Sequence, residues 1–312
     1  MVAAALRCAI RGLSLRMSDS AAPAPPTKSQ VFVKRLTSTL ALWGVAAAAI
    51  VLGQSWLFFI LLGFLGMAGV LEYAQMDATL PRPWRCGFIA LSATFMAWTF
   101  VVCYRIGWEW SPLVDLAFLA VAGMAAFVPA LFRPLEGRAT LWAIVYTLAG
   151  FVYVPWLWSF MTRLLFMGGV SDGVVRNVPL LLFVIAATKF TDCGAYVVGS
   201  LFGKHKMIPH VSPGKTWEGV PGAFLGALGA GLAVFYGYGA ERMGFSAGHA
   251  IALSLILGAV CIVGDLAESI LKRCLGVKDS GRMLPGIGGA LDLIDSLLWT
   301  GPVAYFYLKY AA

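Results

Sequence analysis

Residues 37–73 read TSTLALWGVAAAAIVLGQSWLFFILLGFLGMAGVLEY. Little more than Gly53-Gln54-Ser55 interrupts the run. It therefore divides into two apolar segments, 37–53 and 56–73, each near the length of about 20 residues that a membrane-crossing helix needs. Joined so closely, the two form a tight helical hairpin. Working outward, comparable apolar segments fall at 87–104, 113–132, 140–161, 177–198, 220–238, 247–264 and 293–310, nine in all. Short alternating segments of the kind that build a closed β-barrel are absent. The composition agrees: 60% of the chain is hydrophobic and its mean hydropathy is +0.82, whereas soluble domains are about 45–50% apolar. The expected fold class is all-α, a polytopic transmembrane helix bundle of about nine spans.

Charge sets the expected orientation. With the N-terminus in the cytoplasm, the tail and the loops near 74–86, 133–139, 199–219 and 265–292 face inward and hold 17 of the 23 Lys and Arg residues. The opposite face has five, Arg105, Arg163, Arg176, Arg242 and Lys309, and Lys189 lies inside the sixth span. Such asymmetry is the positive-inside pattern. Residues 1–36 include Arg7, Arg11 and Arg16 and the Pro/Ala/Ser-rich stretch SDSAAPAPPTKSQ. They read as a disordered cytoplasmic tail, in preference to an organelle transit peptide. The chain then divides into N-terminal spans over 37–176 and a C-terminal region over 177–312. The net charge of +8 suits cytoplasmic loops beside anionic headgroups, so nucleic acid is not an expected partner.

Metal chemistry, if present, needs oxygen ligands. Cys8, Cys86, Cys103, Cys193, Cys261 and Cys274 form no CxxC pair, and His205, His210 and His249 are dispersed. That leaves carboxylates and a hard cation such as magnesium.

The carboxylates concentrate in one place. From Gly264 to Asp295 the chain reads GDLAESILKRCLGVKDSGRMLPGIGGALDLID, with five acids, four basic side chains and six glycines, although only 12% of the whole chain is charged. Charge near a membrane is costly and marks function by default. On a helix, Asp265, Glu268, Ser269 and Lys272 share a face. Asp292 and Asp295 repeat the three-residue spacing. Two helix ends bringing Asp265, Asp292 and Asp295 together could chelate one or two divalent cations, as phosphoryl-type transfer requires. Between them LPGIGG, residues 284–289, lets backbone amides approach phosphate oxygens.

A second polar stretch, DCGAYVVGSLFGKHKMIPHVSPGKTWEG, runs from Asp192 to Gly219. Gly214-Lys215-Thr216 imitates the end of a P-loop, but Pro209 stands where that motif needs a glycine. Lys204, Lys206, Lys215, Ser212 and Thr216 could still bind a polyphosphate. Lys189 and Asp192 sit one turn apart, either as a mutual ion pair or with Asp192 at the rim of a site.

The succession Ser269, Lys272-Arg273, Lys278-Asp279, Pro285-Gly286, Gly288-Gly289, Asp292 and Asp295 resembles the C-terminal signature of the phosphatidate cytidylyltransferases. Asp192-Cys-Gly-Ala-Tyr196 and Ser212-Pro-Gly-Lys-Thr-Trp-Glu218 resemble a second region of the same family. The match covers about the last 125 residues. This chain departs from the pattern at Ile287, where many members have His, and at Leu293, where many have Arg.

The resemblance implies that CTP and phosphatidic acid give CDP-diacylglycerol and pyrophosphate, with magnesium required and room for a second cation. It implies metal binding by Asp265, Asp292 and Asp295, with Glu268 ligating through water or orienting a ligand. Lys215, Lys272, Arg273 and Lys278 would bind phosphate, with Ser212 and Thr216 assisting. Asp192, Ser269, Asp279, Gly288 and Gly289 complete the expected substrate site. Asp265, Glu268, Lys272, Asp292 and Asp295 are the expected catalytic group. The expected setting is a bacterial inner membrane with the site facing the cytoplasm, and homodimeric assembly is left open. A CTP-dependent lipid-alcohol kinase is the nearest rival and would need a base for its hydroxyl nucleophile. A membrane transporter, the rival of a different class, would be expected to show related halves or broken helices.

Overall fold

The computed structural model describes residues 44–281, 283 and 288–312. The tail 1–36, the start of the first expected span and Ile287 lie outside the described residues. The chain is helical over 44–52 and turns at Gly53. It then forms α1 (Ser55–Met76), α2 (Arg82–Arg105), α3 (Ser111–Leu131), α4 (Arg138–Phe166) and α5 (Val178–Phe202). After these come α6 (Gly219–Tyr238), α7 (Ala247–Cys274) and α8 (Ala290–Tyr310). Among the described residues, α1 through α7 are the seven helices long and apolar enough to cross a membrane. Helix α8 has 21 residues, a comparable length, but Asp292, Asp295 and Lys309 make it more polar. Among the described residues, strand structure is limited to two antiparallel pairs, β1 (Val170–Ser171) with β2 (Val174–Val175) and β3 (Lys206–Ile208) with β4 (Ser212–Thr216). The all-α membrane architecture expected from the apolar runs is the one observed.

Two differences from the expected boundaries matter. Helix α7 continues to Cys274, so Asp265–Arg273 lie on a helix and not in a loop. At about 1.5 Å per residue, its 28 residues reach about 42 Å, beyond a hydrocarbon core about 30 Å thick. Its last turns therefore carry their charges to the membrane–water boundary. Helix α4 likewise runs past 161, and Arg163, counted above as an outward-facing charge, is buried within it.

Helices α5 and α6 pack backbone to backbone. A Cβ on Gly194 would stand 2.1 Å from the Gly222 carbonyl oxygen, and one on Gly226 would stand 2.0 Å from that of Phe190. Small residues permit this approach, which dispersion and shape must hold together inside a lipid solvent. Helix α8 packs against α1, α4, α5 and α7 and so joins the two halves of the chain. Between α1 and α4, Tyr73 donates to the Tyr146 carbonyl at 3.1 Å and Tyr146 donates to that of Tyr73 at 2.8 Å, with the rings stacked 4.6 Å apart. This reciprocal lock sets the depth of the neighbouring residue, Glu72.

Candidate active site

Helices α5, α7 and α8 and the β3–β4 hairpin enclose a cavity of about 550 Å³. Asp192 enters it from α5, Ser212, Lys215 and Thr216 from the hairpin, Asp265 from α7, and Asp292, Asp295 and Ser296 from α8. The two polar stretches, separated in sequence by the whole of α6, thus face one space.

The hairpin is pinned at both ends. At its base, the His205 ring nitrogen Nδ1 lies 2.6 Å from Glu218 Oε1, and the Lys204 and His205 amides donate to the same carboxylate. The His205 contact, helped by these amides, holds the Glu218 carboxyl down at about 2. At its tip, Arg273 Nε donates to the Val211 carbonyl at 3.3 Å. Between these anchors Lys215 reaches Asp265 at 2.5 Å and the Ile262 carbonyl at 3.3 Å. Thr216 is buried, with its hydroxyl against Gly199 of α5.

The acids separate into two groups. Asp265, Glu268 and Asp295 each offer an oxygen, and these three atoms lie within 4.8 Å of one another. Asp292 turns away to Lys272, whose ammonium lies 2.8 Å from Asp292 and 2.5 Å from Glu268. One oxygen of Asp295 accepts from the Ser296 amide and hydroxyl at 2.5 and 3.0 Å. Glu268 is 1% exposed, and its Oε1 has no hydrogen-bond partner among the described residues. Such an orphaned carboxylate oxygen is expensive unless something positive meets it. An all-oxygen donor set of this kind fits a hard cation such as magnesium. Formal charge points the same way. Among the described residues, Asp192, Asp265, Glu268, Asp292 and Asp295 stand against Lys189, Lys206, Lys215 and Lys272, five acids to four lysines.

Other expected residues take different places. Lys189 donates to the Leu293 carbonyl at 2.6 Å and forms no ion pair with Asp192. Asp192 instead lines the cavity and accepts from Cys261 Sγ at 3.4 Å. Lys278 and Asp279 are exposed and outside the cavity lining, and Ser269 is half-buried on α7, also outside it. Gly288 has φ +122°, a conformation open to glycine, and the Gly289 amide donates to Asp292 at 3.1 Å.

Glu72 is a residue that the sequence analysis passed over. It is 1% exposed, near the C-terminal end of α1. Its carboxylate accepts from the amides of Met283 at 3.0 Å and Leu291 at 2.9 Å and from the Ser280 hydroxyl at 3.4 Å. Leu291 is in the first turn of α8, where amides lack intrahelical partners. Glu72 therefore caps, from a distant helix, the element that carries Asp292 and Asp295. Gly281 leaves it room, since a Cβ there would fall 2.4 Å from the Glu72 carboxyl. The available signal was the lone acid in an otherwise uncharged run of 37 residues.

A family model described as the cytidylyltransferase family matches residues 33–311. The chain belongs to the cytidylyltransferase family. Among its relatives within the family, it is 32% identical over 245 residues to the phosphatidate cytidylyltransferase of Brucella suis biovar 1, covering 78% of this chain and 81% of that protein. It is 29% identical over 273 residues to the uncharacterised protein YnbB of Escherichia coli K12, covering 86% of this chain and 85% of the other. Against the phosphatidate cytidylyltransferase of Mycobacterium leprae the identity is 39% over 156 residues, half of this chain and 46% of that protein. The family match extends across α1–α4, so it takes in Glu72 as well as the two polar stretches.

Proposed function

We propose that the protein transfers the cytidylyl group of CTP to phosphatidic acid, giving CDP-diacylglycerol and pyrophosphate. The observation that carries this is the acid cluster of Asp265, Glu268 and Asp295 facing a cavity edged by Lys215, in a member of the cytidylyltransferase family. A lipid phosphate oxygen attacks the α-phosphorus of CTP as the bond to the β-phosphate breaks, and the pyrophosphate leaves. The nucleophile is already ionised, so no Ser or Cys nucleophile is needed. Catalysis reduces to positioning and charge neutralisation.

Magnesium held by Asp265, Glu268 and Asp295 would neutralise charge developing on the α-phosphate and the leaving group. Asp292 remains a candidate ligand once Lys272 swings to substrate, and the surplus of acids leaves room for a second cation. Lys215, Ser212 and Thr216 present charge and hydroxyls to the triphosphate, while Arg273 keeps the hairpin at its working distance. Lys272 bridges Glu268 and Asp292. Asp192 bounds the cavity on the α5 side. Glycines 288 and 289 let the start of α8 approach a phosphate, and Lys278, Asp279 and Ser269 serve at the outer approach. The catalytic groups come from 177–312, with Glu72 the contribution of the first half. In this reading the chain crosses a bacterial inner membrane in about nine spans, and the charge asymmetry supports placing the tail and the site on its cytoplasmic side.

The test is radiolabelled CTP with phosphatidic acid, with and without magnesium. The expected products are pyrophosphate and CDP-diacylglycerol, formed only with the metal. CDP released together with a phosphorylated lipid alcohol would replace this reaction by a kinase reaction. An Asp265→Asn variant with undiminished transfer would remove the proposed site.

A further inference from the structure

On the flank of the bundle an open apolar groove of about 710 Å³ runs between α4 and α8. Leu148, Val152 and Tyr153 line it from α4, and Trp299, Pro302 and Val303 from α8. Both walls are locally irregular. Residues Val152–Trp156 form a π-helical turn at Pro155, and Pro302 removes a donor from the ladder of α8. Single π turns inside α-helices are frequent at functional sites.

The wall is not wholly apolar. The Tyr153 hydroxyl and the Trp299 indole nitrogen are buried beside each other, and neither has a partner of good hydrogen-bond geometry among the described residues. Leaving such groups unmade costs stability, and buried Tyr and Trp normally find partners. Their position is informative. Trp299 follows Asp295 by four residues and so shares its helix face. Its indole lies across Gly264, where a Cβ would stand 3.0 Å from the ring, and Gly264 precedes Asp265. The charges acting on the Tyr153 hydroxyl include those of Glu268, Asp295 and Asp265. The groove therefore adjoins the acid cluster, one turn further along the same face of α8.

We propose that this groove is the subsite for the acyl chains of a diacyl lipid bearing a phosphomonoester head. The head reaches the Asp265–Glu268–Asp295 cluster, and the chains lie along Leu148, Val152 and Val303. The Tyr153 hydroxyl and the Trp299 indole donate to the ester and phosphate oxygens between them. The nucleotide then approaches the carboxylates from the aqueous cavity and the lipid from the bilayer. This rests on the cytidylyl-transfer reading, and it names where the lipid half of that reaction binds.

The test uses the full chain in nanodiscs. Phosphatidic acid with a diazirine in its tail is photolysed, and the labelled peptides are mapped. The expected labels fall on 145–157 and 299–303 and are suppressed by excess phosphatidic acid but not by phosphatidylcholine. Ala149→Trp, which intrudes on the groove from its exposed wall, should weaken the label. It should also raise the ratio of KM for dioleoyl to KM for dihexanoyl phosphatidic acid about ten-fold. Leu116→Trp, on the lipid face of α3, should leave that ratio unchanged. Labels elsewhere, or equal suppression by both lipids, would overturn the subsite even if the wild type transfers the cytidylyl group. Specific labelling of the groove without such transfer would instead overturn the reaction and leave the subsite standing.

Discussion

Two sets of buried charge in this molecule are built in opposite ways. At the end of the bundle away from the acid cluster, Arg163 of α4 pairs with Asp115 of α3, and the guanidinium stands 4.4 Å from the centre of the Phe160 ring. Arg163 is 1% exposed, and neither partner lines a described cavity of the size found at the other end. At that other end, Asp265, Glu268 and Asp295 crowd together with fewer cations than anions, beside about 550 Å³ of space. A sealed one-to-one pair is balanced in charge and ties two helices together. An unbalanced cluster beside a cavity keeps free energy in reserve for whatever positive group enters. Charge in an apolar chain is therefore not a functional signal until its balance and access are known.

The comparison predicts different consequences for substitutions. The largest is expected in the open cluster, where Asp295→Asn should lower transfer about a thousand-fold, equivalent to about 4 kcal/mol, with normal expression and melting. Retention of even a tenth of the activity in a radiolabelled-CTP assay would place the essential acids elsewhere. Arg163→Met should do the reverse. It strands Asp115 and costs about 3 kcal/mol of stability by thermal unfolding in detergent, while turnover per folded molecule stays unchanged. A turnover defect without a stability defect would erase the distinction between the two ends.

Glu72→Gln tests a residue that belongs to neither class, since its partners are backbone amides and a hydroxyl. Losing charge-assisted acceptance at Leu291 and Met283 should cost about 1–3 kcal/mol locally. The expected readout is a kcat about ten-fold lower with faster hydrogen exchange at the start of α8. The smallest effect is expected for Arg163→Met combined with Asp115→Leu, which should return to within about 1 kcal/mol of the wild type. Lys272→Met combined with Asp292→Leu should give no such rescue of transfer.

How much of this was legible varies by residue. The spans were, because a bilayer forces every backbone amide into a helix and so requires long apolar runs. The hairpin of 199–219 and the segment 264–295 stood out by charge. The spacing of Asp265, Glu268 and Lys272 suited a helix, but the apolar run ended at 264 and left them in a loop, because polar residues end an apolar run without ending hydrogen bonding. Spacing places Asp292 and Glu268 both on site-facing surfaces, and only the meeting of α7 with α8 brings an oxygen of Glu268 beside Asp265 and Asp295 while both acids contact Lys272. Glu72 was hidden because its partners lie 208 to 219 positions away.

The sequence by itself determined a helical membrane bundle, its apolar spans, and two polar stretches with the residue types for nucleotide and metal chemistry. Those follow from local rules: hydrophobic length, helical period and the cost of charge near lipid. The tertiary structure alone decided which three carboxylates converge, which lysine neutralises which acid, and that a glutamate on the first described long helix caps the last. Helix periodicity fixes a face but not the rotation and depth of one helix against another. Contacts such as Trp299 across Gly264 and Tyr73 against Tyr146 set those.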